Sequence, residues 1–172
     1  LAHGVFSTLT KRGDTLPDAP TLPEPVAMRW GERAPAIAAG LAEPPPLDLT
    51  LRDPADTAQW AVQLSADSLM PGHLRLPRGA NVEKLPGFGE GAWWVQDIAA
   101  SLPARLLGPG EGRHVLDLCA APGGKTLQLA AQGWQVTALD ISKRRLDLLK
   151  ANLKRTGLKA GAVRADALKW EP

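Results

Sequence analysis

The sequence is poor in several residue types that often dominate the chemistry of a protein. Among its 172 residues it has one cysteine, Cys119, and no tyrosine. A single cysteine cannot form a disulfide within the chain, and with three widely spaced histidines it does not make a Cys/His zinc cluster. A disulfide-stabilised scaffold is therefore excluded. We expect no metal site, and we expect surface or strand-edge positions for the histidines, His3, His73 and His114.

Long apolar runs are also missing. The most apolar stretch, residues 98–107, is interrupted by Ser101, Pro103 and Arg105, so nothing approaches the roughly 20 apolar residues that a membrane helix needs. The first seven residues contain neither an initiator methionine nor the basic-then-apolar pattern of a secretory signal. We interpret the sequence as starting inside a longer protein, and we predict a cytoplasmic location without membrane contact.

Charge is unevenly distributed along the chain. Residues 1–142 contain 11 basic and 15 acidic residues, whereas residues 143–172 contain 9 basic and 3 acidic residues. A basic segment of this kind is typical both of a protein with an acidic partner, such as nucleic acid, and of a solvated helix face. Charge alone does not decide between these two interpretations.

The first two thirds of the sequence predict a helical remnant, a connector and a small mixed module. Nine of the 16 prolines lie in residues 1–54, so we interpret residues 15–44 as a proline-rich connector. Val5 and Leu9 have helical spacing, which favours the end of a helical domain over residues 1–14. Residues 45–110 predict an α+β module, with a half-buried strand at Leu47–Arg52, helices at 56–64 and 97–107, and short strands at 74–76 and 93–95.

Tryptophan is the main large aromatic residue. We expect the six tryptophans to anchor cores rather than to stack on RNA bases. Trp93 and Trp94 are adjacent, so in a strand one of them must face away from the core.

Strands and helices alternate from residue 111 onward. Apolar runs at 114–119, 135–140 and 162–166 favour strands, and residues 125–132 and 143–156 between them favour helices. Ser142 is placed to cap the second of these helices and Gly157 to end it. This order predicts a parallel sheet with right-handed crossovers. The predicted fold class is α/β, with the first three strands of a Rossmann-like sheet in residues 111–172.

A run of small residues, Ala120 to Gly124, connects the first of these strands to the next helix. Small side chains let a ligand approach the main chain, and free N–H groups at a helix start attract an anion. A tight strand-to-helix turn would have the same composition. A phosphate-binding P-loop matches at Gly124-Lys125-Thr126 but requires glycine where the sequence has Cys119, and a dinucleotide-binding G-x-G-x-x-G finds no register.

Carboxylates lie at the ends of all three predicted strands. Asp117, Asp140 and Asp166 are separated by 23 and 26 residues, near one βα unit each, so we expect them along the carboxyl edge of the sheet, where open α/β folds bind ligands. Asp140 is placed to accept hydrogen bonds from two ribose hydroxyls. It could equally cap the following helix, and Asp166 could serve as a turn residue.

Several strings in the sequence carry a family resemblance. The most specific is Asp-Leu-Cys-Ala-Ala-Pro-Gly-Gly-Lys-Thr at 117–126, and others are found at 85–89, 95–97, 138–146 and 152–157. From Leu85 to Asp166 the sequence resembles the bacterial branch of the Sun/Fmu-type (NOL/NOP/Sun) RNA cytosine methyltransferases, which make 5-methylcytosine in ribosomal RNA with S-adenosylmethionine. Residues 4–6 resemble, more loosely, the end of the NusB-like RNA-binding domain of that branch.

The resemblance implies a role for each matching residue. S-adenosyl-L-methionine is the implied cofactor, and small-subunit ribosomal RNA the implied partner. Asp140 would hold the ribose of the cofactor, Asp166 would meet its adenine amino group, and Arg145 belongs to the same predicted binding set. The loop around the methionine part would consist of Cys119, Ala120, Ala121, Pro122, Gly123, Gly124 and Lys125.

The resemblance also implies catalytic residues that these 172 residues do not contain. Such enzymes use a cysteine thiolate that adds to carbon 6 of cytosine, and a second cysteine that helps to release the product. These cysteines lie in Pro-Cys and Thr-Cys-Ser strings, whereas Cys119 lies in the cofactor loop. We therefore expect both beyond residue 172 and no methyl transfer by this chain alone. A P-loop-like hydrolase and a non-catalytic RNA-binding protein with a vestigial cofactor pocket stay as alternatives.

Overall fold

The computed structural model describes residues 2–13 and 19–171. The chain divides into two compact units, Leu1–Pro45 and Pro46–Pro172. In the described ranges no helix is both long and apolar enough to cross a membrane.

The first unit is helical. It contains α1 (Ala2–Arg12), α2 (Glu24–Trp30), a short 3-10 turn at Gly31–Arg33, and α3 (Ala34–Ala42). The proline-rich range that we interpret as a connector thus contains two helices. Pro25 and Pro35 stand at the second position of α2 and α3, where proline costs nothing because the first N–H groups of a helix have no partner within it.

The second unit begins with an antiparallel sheet. Its strands are β1 (Leu47–Leu51), β2 (His73–Leu76) and β3 (Trp93–Val95), with β1 in the centre, and α4 (Thr57–Leu64) lies between β1 and β2 in sequence. Leu49 faces Leu74 on one side and Val95 on the other. These elements enclose a core cluster formed by Leu49, Leu51, Leu64, Leu74, Leu76 and Trp93.

Strand β1 is more buried than its alternation predicts. We expected a half-buried strand, but Asp48 and Thr50 are each 3 % exposed. The reason is that α5 (Ile98–Leu106) covers the second face of the strand, and Ile98 N–H donates to the Asp48 carboxylate.

The three histidines do not share one environment. His114 is exposed at the start of a strand, as expected. His73, by contrast, is buried beside the Asp48 carboxylate, and its Nδ1 accepts the Leu69 N–H. His73 does begin an edge strand, β2, but the expectation of a surface position is wrong, because its ring lies inside the module, where Nε2 is 3.3 Å from the Asp48 carboxylate. The side chain of His3 lies outside the described residues.

The remaining chain forms the predicted parallel sheet. The elements are β4 (His114–Leu118), α6 (Gly124–Ala131), β5 (Gln135–Asp140), α7 (Lys143–Thr156) and β6 (Gly161–Arg164), and the strand order is β4-β5-β6. Both strand pairs are parallel, with Leu118 opposite Leu139 and Asp140 opposite Arg164. The predicted fold class, a partial Rossmann-like sheet behind a small α+β module, is confirmed.

The predicted helix boundaries have the expected physical causes. Asp97 accepts the N–H groups of Ala99 and Ala100 and so begins α5. Ser142 accepts the Arg145 N–H at the start of α7, and Gly157 ends that helix with a φ of +68°, a conformation that costs glycine little.

Strand β3 belongs to the antiparallel sheet, but its side chains pack into the cores of both sheets. Trp93 is fully buried in the core of the antiparallel module, and Trp94 is 2 % exposed in the core beneath α6 and α7. As predicted, Trp94 faces away from the core that contains Trp93. The sequence did not show that this second face of the strand meets another core.

The carboxyl end of α7 is fixed against the module. Arg155 donates to the carbonyls of Phe88 and Trp93 at 2.8 and 3.0 Å, and its guanidinium lies 4.2 Å from the centre of the Phe88 ring. Burial lowers the pKa of Arg155. Gly91, with a φ of +65°, lies so close that an added Cβ would collide with the Arg155 carbonyl and the Thr156 main chain.

Candidate functional site

A cavity of 450 Å³ lies at the carboxyl end of β4. Seven of the ten residues predicted to bind cofactor line it: Cys119, Ala120, Ala121, Pro122, Gly124, Lys125 and Arg145. Five further lining residues were not among those ten: Val95, Gln96, Ala100, Asp117 and Leu118. The antiparallel module therefore supplies part of the wall through Val95 and Gln96.

The loop that forms one side of this cavity is held by main-chain contacts. Ala120 N–H donates to the Leu139 carbonyl at 2.8 Å, so the loop continues alongside β5 after β4 has ended. Cys119 adopts a φ of +58°, and its free thiol is exposed. Gly123 has a φ of +114°, and a Cβ there would collide with Leu149 of α7. Gly123 therefore shapes the loop without lining the cavity.

Asp140 lies at the end of β5 and stabilises the loop after β4. Its carboxylate, which is 2 % exposed, accepts the Ala121 N–H at 3.1 Å through Oδ2 and the Ser142 N–H at 2.9 Å through Oδ1. Arg145 approaches Oδ2 to 3.2 Å and also donates to the Ala121 carbonyl. Oδ1 accepts only one of these bonds, so it keeps a lone pair for a further donor.

Asp117 is a buried carboxylate in the wall of the cavity. Burial raises its pKa, against the lowering effects of a hydrogen bond from Thr126 and of the Lys125 charge. The Thr126 hydroxyl donates to Asp117 Oδ2 at 2.6 Å. Because a P-loop requires that hydroxyl for a magnesium ion, this contact argues against the hydrolase alternative.

The start of α6 presents positive potential to the cavity. Gly124 and Lys125 line it, and α6 has neither a side-chain cap nor an acidic residue in its first turn. The first N–H groups of a helix have no partner within it and carry partial positive charge. With the carboxylate of Asp117 also in the wall, the cavity offers both signs of charge and suits a ligand that carries both.

Two buried amide side chains, Gln96 in the cavity wall and Gln128 on α6, hold that wall in place. Gln96 accepts the Trp94 indole N–H at 2.9 Å and donates to Gln128 of α6 at 3.1 Å. Gln128 in turn donates to the Ser101 carbonyl at 3.0 Å. This connection links β3 to α6 across 32 residues of sequence, and no local periodicity could have revealed it.

Asp166 is not brought to the cavity. It follows β6, and its carboxylate accepts the Leu168 N–H at 3.0 Å within its own turn, which is the turn role left open from the sequence. Its contact with an adenine stays a prediction. No cluster of acidic, histidine or cysteine side chains that could hold a metal ion is found in the ranges 2–13 and 19–171.

Residues 104–171 match the family model described as 16S rRNA methyltransferase RsmB/F. Two curated relatives are called ribosomal RNA small subunit methyltransferase B. The protein from Klebsiella pneumoniae is 39% identical over 80% of this chain and 34% of its own length. The protein from Salmonella arizonae is 46% identical over 56% of this chain and 23% of its own length. The match thus spans 23% to 34% of the length of these relatives.

Solved structures show the same arrangement of elements. The crystal structure of PH0851 superposes with a TM-score of 0.76 at 26% identity, over 84% of this chain and 35% of that one. A methyltransferase homolog protein from Pyrococcus horikoshii gives a TM-score of 0.70 at 25% identity, over 81% of this chain and 50% of that one. In both, the similarity extends over most of the present chain.

Proposed function

The chain belongs to the RsmB/F family of 16S rRNA methyltransferases, and from this premise we propose that the complete protein transfers a methyl group from S-adenosylmethionine to carbon 5 of a cytosine in small-subunit ribosomal RNA. The present chain supplies the cofactor pocket. The observation that carries the proposal is the cavity after β4: Gly124 and Lys125 at the uncapped start of α6 line it, and so does Ala121, whose N–H donates to the Asp140 carboxylate.

The chemistry of the cavity fits S-adenosylmethionine. The ligand has a carboxylate, a cationic amino group, a cationic sulfonium and a ribose diol. The start of α6 and Lys125 suit the carboxylate, while Asp117 gives the wall an anionic group. Asp140 Oδ1 has a free lone pair for a ribose hydroxyl, while Arg145 holds Oδ2 and the loop carbonyl of Ala121 in place.

The residues of this chain bind and orient rather than react. When bound, the cofactor supplies an electrophilic methyl group. The loop after β4 excludes water from one side of the cavity, Gly123 keeps that loop close to α7, and Gln96 fixes the opposite wall through Gln128. Cys119 is assigned to the loop, and the two catalytic cysteines implied by the family resemblance are proposed to lie outside residues 1–172.

Calorimetric titration with S-adenosylhomocysteine tests the pocket. We expect binding to the chain and a loss of at least about tenfold, or 1.4 kcal/mol, in Asp140→Ala. Asp147→Ala is the matched control, because that exposed carboxylate pairs with Lys143 on α7 and does not line the cavity. Binding of ATP with magnesium in place of S-adenosylhomocysteine would revive the hydrolase alternative.

A second experiment tests the activity itself. The complete protein should incorporate labelled methyl groups into small-subunit ribosomal RNA, and mass spectrometry of the digested RNA should show 5-methylcytosine. Cofactor binding without any transfer would favour the alternative of a non-catalytic RNA-binding protein with a vestigial pocket.

A further inference from the structure

A groove lies at the amino-terminal edge of the parallel sheet, opposite the cofactor cavity. It consists of two hollows of 470 and 430 Å³ that share Lys159 and Ala160. The second hollow is lined by the first residue of each strand, His114, Gln135 and Gly161. Strands of five or six residues separate this edge from the cofactor edge by roughly 17 Å. A ligand in the groove would therefore leave the cofactor cavity free.

The groove carries a net positive charge. Lys150 and Lys154 lie one turn apart on α7, Lys159 follows that helix, and all three are exposed. None of them forms an ion pair within the described part of the chain, and no carboxylate lines either hollow. By contrast, Lys143 on the same helix is paired with Asp147 at 2.9 Å.

The floor between these lysines is apolar. Leu153 is 8 % exposed and lies beneath Lys150 and Lys154, and the first hollow continues over Leu158 and Ala162. A rim of ammonium groups above an apolar floor suits a ligand that alternates anionic groups with flat or apolar ones. A nucleic-acid strand has this character, because phosphates alternate with sugars and bases.

We propose that this groove binds the phosphodiester backbone of RNA at a position remote from the target nucleotide. The inference deepens the proposed function, since it assumes an RNA substrate. Lysine ammonium groups bind phosphates as point charges, without the planar geometry that arginine requires. The groove therefore contributes affinity and orientation for RNA rather than sequence specificity.

The test is fluorescence anisotropy with a labelled single-stranded RNA oligonucleotide at several salt concentrations. The variant replaces Lys150, Lys154 and Lys159 by glutamine. Its dissociation constant should rise at least tenfold, and the slope of log K against log salt should fall by about 2, since each phosphate contact on a single strand contributes about 0.7. The matched control replaces Lys84, Arg144 and Lys169, which are exposed and lie outside both hollows.

The control variant distinguishes RNA binding in the groove from general attraction to positive charge spread over the surface. Equal losses in the two triple variants would overturn the proposal, and so would an unchanged affinity in the groove variant. Thermal unfolding should show both variants as stable as the parent, since these side chains are exposed. S-adenosylhomocysteine binding separates the two proposals: its absence in the parent chain would contradict the proposed cofactor pocket, while lysine-dependent RNA binding would still support the groove.

Discussion

Arg145 connects the end of β5 to the loop after β4: its guanidinium lies 3.2 Å from the Asp140 carboxylate and also donates to the Ala121 carbonyl. Arg145→Lys keeps the charge but loses the planar fork that reaches both acceptors. We expect S-adenosylhomocysteine to bind about five- to tenfold more weakly, a cost of about 1 kcal/mol. Arg144→Lys, one residue earlier and exposed, is the control. Equal affinities in the two variants would mean that Arg145 is a surface ion pair without influence on the loop.

The loop cysteine has a testable structural role. Cys119 lines the cavity at a φ of +58°, so its backbone shape matters more than its thiol. Cys119→Ser should bind S-adenosylhomocysteine within about twofold of the parent. Cys119→Val should weaken binding, because a β-branched residue is strained at positive φ. Titration calorimetry measures both, and a loss of binding in Cys119→Ser would show that the thiol itself contacts the ligand.

Thr126→Val should destabilise the chain. The hydroxyl that donates to Asp117 at 2.6 Å is the side-chain contact of a buried carboxylate, and its removal leaves that carboxylate unsatisfied at a cost of about 1–3 kcal/mol. Thr126→Ser keeps the donor and should lose less. Urea unfolding at neutral pH gives both values. The pKa of Asp117, already raised by burial, should rise further in the valine variant, and equal stabilities of the two variants would contradict this account.

The stability of the chain should fall at acidic pH through Asp48. Burial alone raises the pKa of Asp48, but hydrogen bonds from Arg75, the Ile98 N–H and His73, together with the Arg75 charge, outweigh it and lower the pKa from 3.8 to about 2. Because the folded-state pKa is depressed, Asp48 makes its full contribution to the free energy of unfolding above pH 3.8. This contribution disappears as the pH falls through 2. It amounts to about 2 kcal/mol, of which about half is lost by pH 3.

Urea unfolding between pH 6 and pH 3 checks this contribution. Asp48→Asn should be less stable than the parent at pH 6 and should lose about 1 kcal/mol less on acidification. Glu83→Gln, which removes an exposed carboxylate of the same module, should keep the pH dependence of the parent. A parent-like pH dependence in Asp48→Asn would assign the acid sensitivity to other carboxylates.

Gly91→Ala tests the contact between the module and α7. An added Cβ would collide with the main chain of Arg155 and Thr156, and Gly91 has a φ of +65°. We expect a loss of roughly 2 kcal/mol or more, since neither main-chain segment can move aside cheaply. Gly89→Ala is the control, because a Cβ there meets nothing within 4 Å. Equal unfolding temperatures for the two variants would contradict the close approach.

The sequence predicted local features well because their causes are local. The strands β4 to β6, the cap at Ser142 and the helix end at Gly157 each depend on residues within one turn or one strand of each other. The proline-rich range was harder to interpret. Proline disfavours a helix interior but is accepted in the first turn, so counting prolines cannot separate a connector from two short helices that each carry one at their start.

Contacts between distant segments were not predictable from these patterns. The sequence indicated the loop from Cys119 to Lys125, yet the wall that Gln96 forms against Gln128 depends on how the module packs on α6. The burial of His73 depends in the same way on Asp48, 25 residues away. For Asp166, the deciding contact is local. Its spacing from Asp140 matched one βα unit, but a hydrogen bond within its own turn determines where its carboxylate lies.

Strand β3 has three residues, and two of them, Trp93 and Trp94, contribute the largest buried side chains of two neighbouring cores. The two cores therefore share this strand. If either sheet unfolds, one of the two indole rings of β3 becomes exposed to solvent. The antiparallel module and the parallel sheet should therefore unfold in a single transition, although their topologies differ. For protein engineering, a cut between residues 110 and 111 would divide a cooperative unit, and exchanging either half between relatives would require matching surfaces on both sides of this strand.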